Sequence, residues 1–204
     1  RETMQYEVKA IQPTGGGVAF FLRRYRPFRL RALESDPSSF SSTYAREAAF
    51  DDDNWRRRIL NPLATTLVAV AIAPSDGRDS RKEDGEEEEG QPILSSATLI
   101  GPIPPPPGHA TTTPEPLHWE VNAVWTAPEA RRNGLAQRVL EATAAHARAQ
   151  ATEKQRGCLL SVTVARDNPG ALSLYAKCGY EVMSVQEQEA KIQLARSLPR
   201  SYIP

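Results

Sequence analysis

Cysteine and histidine are scarce in this chain. The two cysteines, Cys158 and Cys178, show neither CxxC spacing nor the density of a secreted disulfide framework. They read as small buried apolar side chains in a reducing compartment. The three histidines, His109, His118 and His146, are scattered, and without an HExxH or Cys/His cluster no metal site is expected. Net charge is also missing, since 25 basic side chains balance 25 acidic ones, so a general attraction to nucleic acid or acidic lipid is not expected. No apolar run approaches the roughly 20 residues that span a bilayer, and the start of the chain lacks a signal-peptide pattern. The expectation is a soluble cytoplasmic protein, with the nucleus also open to it, that is a monomer or homodimer and engages neither membrane nor nucleic acid. Residues before Met4 are set aside, and a chain of this length suits one domain over residues 4–198.

What is present is unevenly placed. Between Asp76 and Gly90 eight acidic side chains face three basic ones, a segment too polar to bury. The stretch 74–92 is therefore expected to be a disordered hairpin insertion. A second insertion, 101–116, holds four consecutive prolines, Pro104 to Pro107, and should be extended.

Around these insertions strand and helix patterns alternate. Tyr6, Val8 and Ala10 fit a short strand that ends in a Pro13–Gly17 turn. Phe21, Tyr25, Phe28 and Leu33, interleaved with arginines, give a helical apolar stripe expected to be interrupted at Pro27 and to stop near Asp36-Pro37. A second helical stretch over 42–60 should break at Asp51–Asp53, where carboxylates suit a helix N-terminus. Residues 65–73 and 93–100 read as paired strands, and 117–126 as another. An alanine-rich helix should follow over 133–150, then a buried strand at 159–164, a helix begun by Pro169 and ended by Gly179, and strands at 180–185 and 191–195. The class is α/β or α+β with a mixed sheet.

The informative stretch is Arg131-Arg132-Asn133-Gly134-Leu135-Ala136, between a strand and an amphipathic helix. The first turn of a helix has amides without intrahelical partners and the positive end of the macrodipole, which suits a pyrophosphate. Gly134 and Ala136 let phosphate oxygens approach the main chain, and Arg131 and Arg132 can add charge-assisted hydrogen bonds. An ordinary helix start with solvated arginines would look similar.

Here the chain resembles the GNAT superfamily of N-acetyltransferases, whose cofactor signature Q/R-x-x-G-x-G/A follows a strand and a V-x-P-like turn. Arg131, Gly134 and Ala136 match it, with Val124 to Pro128 supplying strand and turn. Downstream, Asn168-Pro169, Ala171, Leu174-Tyr175 and Gly179-Tyr180 are similar to the family's N-x-x-A-x-x-L-Y-x-x-x-G-F/Y element. One departure stands out: Arg132 occupies a position where many relatives have glycine.

The resemblance implies a mainly antiparallel sheet of six to seven strands with about four helices, and a small single-domain enzyme that uses acetyl-CoA and acetylates a primary amine of a small molecule or peptide. It implies that backbone groups at Val124, Trp125 and Thr126 pair with the pantetheine arm and that amides from Arg131 through Ala136 hold the pyrophosphate. It also implies that Asn168 and Ala171 meet the cofactor arm and that Tyr175 points at its sulfur. An ammonium must lose a proton before it attacks a thioester. Glu120 is similar in position to the general-base glutamate of some family members and could act directly or through a water, and Tyr175 would protonate the leaving thiolate. A solvent-facing Glu120 and a core-packing Tyr175 are the plainer alternatives. Phe28, Tyr44, Trp55 and Trp119 are candidates to line an acceptor pocket.

Two other readings compete. Gly15-Gly16-Gly17 invites a dinucleotide fingerprint, but the third glycine position of G-x-G-x-x-G falls on Phe20, so a turn is expected there. A non-catalytic CoA-binding or interaction module would share the same motifs.

Overall fold

The computed structural model describes residues 5–72, 91–106, 114–186 and 190–198. Strand β1 (Tyr6–Ala10) leads into α1 (Gly15–Phe20), which passes through a π-turn (Phe21–Tyr25) into α2 (Arg26–Ser35). Helices α3 (Tyr44–Ala48) and α4 (Asp52–Ile59) precede β2 (Ala64–Ala71) and β3 (Ile93–Ile103). Then follow β4 (Leu117–Thr126), α5 (Leu135–Glu153), β5 (Cys158–Ala165), α6 (Pro169–Lys177), β6 (Glu181–Gln186) and β7 (Lys191–Leu198). The strands form one sheet in the order β1-β2-β3-β4-β5-β7-β6. Only β4 and β5 run parallel.

Local chemistry sets most boundaries. Asp51 accepts from the Asn54 amide at 2.8 Å and starts α4, and Thr43 caps α3 the same way. Helix α6 begins with Pro169 behind an Asn168 cap and is closed by Gly179 at φ 78°. The glycine triplet departs from the expected turn. Thr14 Oγ1 accepts from the Gly17 amide at 3.4 Å, so α1 already begins at Gly15. A side chain on Gly17 would collide with the Gln12 carbonyl, which is why a glycine fits this tight entry. Nor does the helix break at Pro27. The irregularity lies upstream, where the wide π-turn sits just ahead of a residue that has no N–H to donate. That turn leaves Phe21, Tyr25 and Phe28 all buried, with Phe21 and Tyr25 ring centroids 4.7 Å apart and Phe28 at 4.9 Å from Trp125.

Helix α5 lies across β2, β3 and β4, while α4 packs against β2 and the π-turn. The second expected insertion is shorter than the sequence suggested, because Gly101–Ile103 extend β3 and Ile103 pairs with His118. The rest of the acidic insertion before Gln91, and residues 107–113 of the proline-rich one, lie outside the described residues. His118 is buried where β4 meets β5. It donates from Nδ1 to the Pro104 carbonyl at 2.9 Å and has Ser161 Oγ 2.8 Å from Nε2.

Candidate active site

The parallel strands β4 and β5 separate partway along. They pair only from Leu117–Cys158 to Glu120–Ser161. Past that point β5 stays with β7 as far as Ala165, and β4 stays with β3 as far as Thr126. A bulge accompanies the split: Ala123 has φ 53°, and the β3 register shifts between Ser96 and Thr98. A bulge bends its strand and adds local twist, so β4 turns away from β5 and leaves two facing edges without ladder partners. They border a cleft of about 1540 Å³.

One end of the cleft is built by the entry to α5. Gly134 is the N-cap at φ 74° and supplies no side-chain cap. Arg132 is also left-handed at φ 64°, and adjoining left-handed and right-handed residues turn successive amides toward one concavity. None of the amides from Arg132 through Ala136 donates to a backbone carbonyl among the described residues. A Cβ built on Gly134 meets no other described residue within 4 Å. Arg131 is placed differently from Arg132. Its amide donates to the Pro128 carbonyl at 3.3 Å, and its guanidinium donates to Asp36 Oδ2 at 2.6 Å and the Thr126 carbonyl at 3.0 Å. Trp125 Nε1 donates to the same Asp36 oxygen at 2.7 Å. Burial works to raise the Asp36 pKa, but hydrogen bonds from Trp125 and Arg131 outweigh it and hold the carboxyl below its ordinary value. Arg131 thus ties the turn to the end of α2, and the amides left for an anion start at Arg132.

The lining of the cleft brings together Glu120, Val124, Trp125 and Thr126 of β4 with Asn168, Ala171 and Tyr175. Asn168 uses Oδ1 to accept from the Ala171 amide at 3.0 Å. Tyr175 is 5 % exposed and meets Tyr180 edge-on, with centroids 5.4 Å apart. Burial raises its pKa above the ordinary phenol value, so the ring carries its proton throughout the neutral range. Glu120 is half-buried, opposite Ile100 on one side and Ser161 on the other.

The aromatic residues proposed from sequence for the acceptor do not gather at the cleft. Phe28, Trp55 and Trp119 are core side chains, with Trp55 at 0 % and Trp119 at 1 % exposure. Tyr44 is exposed at the start of α3, away from the cleft lining. The far wall is instead polar and includes Arg29, Arg46, Glu47 and Arg58 beside the serines of 38–42. Arg29 donates to Glu47 through Nε at 3.1 Å and Nη2 at 2.9 Å, and Arg58 Nη1 donates to Glu47 Oε2 at 2.8 Å. Burial would raise the Glu47 pKa, but the two guanidiniums outweigh it and hold the carboxyl at about 2. Local sequence pattern around Glu47 gave no sign of this pairing, because its partners lie 18 residues before and 11 after it.

Residues 96–180 match the model of the Acetyltransferase (GNAT) family, a span from within β3 to the residue before β6. No curated protein matches the chain. Solved structures with the same fold include NAA60 of Arabidopsis thaliana in complex with a bisubstrate analogue, with TM-score 0.57, 10% identity, and coverage of 97% of this chain and 100% of that one. The GNAT domain of PAT from S. lividans superposes with TM-score 0.56 at 17% identity, covering 95% of this chain and 90% of that one. The PaiA N-acetyltransferase of Thermoplasma acidophilum, in complex with coenzyme A, gives TM-score 0.55 at 14% identity over 95% of this chain and 99% of that one.

Proposed function

We propose that this chain, whose residues 96–180 match the model of the Acetyltransferase (GNAT) family, transfers an acetyl group from acetyl-CoA to a primary amine, with both held together in the cleft, and that residues 4–198 act as one domain. The observation that carries this reading is the split between β4 and β5, with the α5 entry amides, Glu120 and Tyr175 all lining the cleft it opens.

When bound, acetyl-CoA supplies the activated acyl carbonyl. The amides from Arg132 through Ala136, at the positive end of α5, would hold its pyrophosphate. The open edge of β4 at Val124 to Thr126 would carry the pantetheine arm, as would Asn168 and Ala171 opposite. Glu120 takes one proton from the substrate ammonium, directly or through a water, which frees the nitrogen lone pair to form the new N–C bond. Tyr175 donates a hydrogen bond and then a proton to sulfur as the C–S bond breaks. The phenol is regained from the second proton that the amine nitrogen sheds, and the products are the amide and CoA thiol.

A thiol-release assay with a panel of amines tests the reading. Thiol formation that depends on an amine supports it, whereas tight CoA binding without release under any amine would identify a non-catalytic CoA-binding module. Gly134→Glu is expected to weaken CoA binding about ten- to a hundredfold by calorimetry, since it places bulk and negative charge before the phosphate amides and strains a left-handed residue. Unchanged affinity would move the phosphates elsewhere. Glu120→Gln should lower turnover roughly a hundredfold at neutral pH. It should recover as pH rises toward the amine pKa of about 10, where the free base is already present. A pH profile identical to that of the parent protein would remove Glu120 from the proton path.

A further inference from the structure

The far wall of the cleft has more positive charge than it can neutralise. Three carboxylates line the cleft among the described residues: Asp36 is held by Trp125 and Arg131, Glu120 lies on β4, and the two oxygens of Glu47 are already taken by Arg29 and Arg58. Arg46 lies on the exposed side of α3, next in sequence to Glu47. Arg58 keeps 39% of its side chain exposed while its guanidinium sits 4.9 Å from the Trp55 ring centroid and 5.0 Å from that of Phe50. Stacking on two rings holds a planar fork in one orientation.

Arg29 supplies the second observation. It is 8% exposed, lines the cleft, and spends Nε and Nη2 on Glu47. Its Nη1 is buried and has no hydrogen-bond partner among the described residues. A buried guanidinium donor without an acceptor is costly, and buried polar groups in native proteins are almost always satisfied. Phe40, half-buried with its ring 4.5 Å from the guanidinium carbon, covers Arg29 from the 36–43 loop. A ligand oxygen that reached Arg29 Nη1 would supply the missing acceptor.

We propose that the acceptor is an amine that also carries a carboxylate, with the carboxylate bound by Arg29, Arg46 and Arg58 and the amine directed to Glu120. This rests on the acetyl-transfer reading above and narrows its substrate class. Planar forks suit a carboxylate bidentately. A polyamine, by contrast, brings further cations against a wall of arginines and is disfavoured by like-charge repulsion. The carboxylate takes no part in the reaction. One N–C bond forms, one C–S bond breaks, and the nitrogen's protons leave as already described.

The test uses the full chain with saturating acetyl-CoA and compares thiol release from glycine, β-alanine and glutamate with release from glycinamide, aminomethylphosphonate, spermidine and an uncharged tripeptide amide. The best carboxylate-bearing amine is expected to exceed the others at least about tenfold in kcat/KM, the scale of one charge-assisted hydrogen bond. Arg46→Gln and Arg58→Gln should raise KM for that amine about tenfold with a smaller change in kcat, while CoA affinity by calorimetry stays as in the parent. Arg46 is exposed, so its variant tests the wall even if the change at Arg58, which pairs with the buried Glu47, unfolds the chain. Spermidine, glycinamide or the tripeptide amide turned over as well as or better than every carboxylate would overturn the proposal and leave acetyl transfer standing. Preference for aminomethylphosphonate would overturn the carboxylate assignment in favour of a phosphate-like anion. No thiol release with any amine, despite CoA binding, would remove both readings together.

Discussion

Tyr175→Phe is expected to lower turnover by about 10²- to 10⁴-fold, the usual range for loss of a positioned proton donor, while CoA affinity measured by calorimetry changes less than about twofold. The substitution removes one oxygen and keeps the ring. Tyr175 lines the cleft beside Asn168 and Ala171, and its edge-on contact with Tyr180 at 5.4 Å is one that phenylalanine also makes. Folding should therefore be nearly unaffected, which separates chemistry from stability. The buried phenol has its pKa raised, so it stays protonated and can donate at any neutral pH. The same low-dielectric surroundings would make a leaving thiolate costly and its protonation favourable. Turnover equal to that of the parent protein would mean that the sulfur takes its proton from another group, and Tyr175 would then be a core aromatic residue.

Glu47→Ala is expected to destabilise the fold by about 3–5 kcal/mol, the cost of leaving a buried charge without its partner. Arg29 has 10% of its side chain exposed and Glu47 has 1%, so water replaces little of what is lost. The milder Glu47→Gln isolates the titration. Because the folded carboxyl sits at about 2 against an ordinary 4.5, its ionisation adds stability that is fully present above pH 4.5. That stability disappears as pH falls from 4.5 through 2. The shift corresponds to about 3 kcal/mol. Urea midpoints measured from pH 7 down to pH 3 should fall steeply in the parent on the acid side and more gently in Glu47→Gln. Parallel acid limbs in the two proteins would show that the cluster contributes nothing through its charge.

Much of the fold could be read from local pattern. The limits of β4 at Leu117 and Thr126, and of α6 at Pro169 and Lys177, agree with the sequence expectation, because strand alternation, an asparagine cap, a first-turn proline and a closing glycine all act within a few residues. The expected class, a mixed and mainly antiparallel sheet, is the one observed, and among the described residues no helix is long and apolar enough to cross a membrane. The glycine triplet and Pro27 were harder. Whether Gly15 begins a helix depends on Thr14 folding back to cap it, and whether Pro27 breaks a helix depends on a wide turn several residues upstream.

The acceptor side shows most sharply where local reading ends. An apolar aromatic residue is attractive either to a ligand or to a core, and composition cannot distinguish them. Phe28, Trp55 and Trp119 went to the core because helices α1 to α4 and the sheet had that surface to cover. The polar wall that took their place joins residues from α2, α3 and α4 around one buried carboxylate.

By itself the sequence determined the parts made from contiguous residues: the glycine-opened start of α5, the strand before it, and the asparagine-capped helix that carries Tyr175. Their geometry is set by backbone dihedrals and hydrogen bonds a few positions apart, which any chain with those residues will favour. Only the tertiary structure decided that β4 and β5 part after four pairs, that Arg131 reaches Asp36 across 95 positions, and that Glu47 holds two arginines. Such pairings gain their energy from burial and from partners distant in sequence, and neither exists until the sheet and its helices have come together.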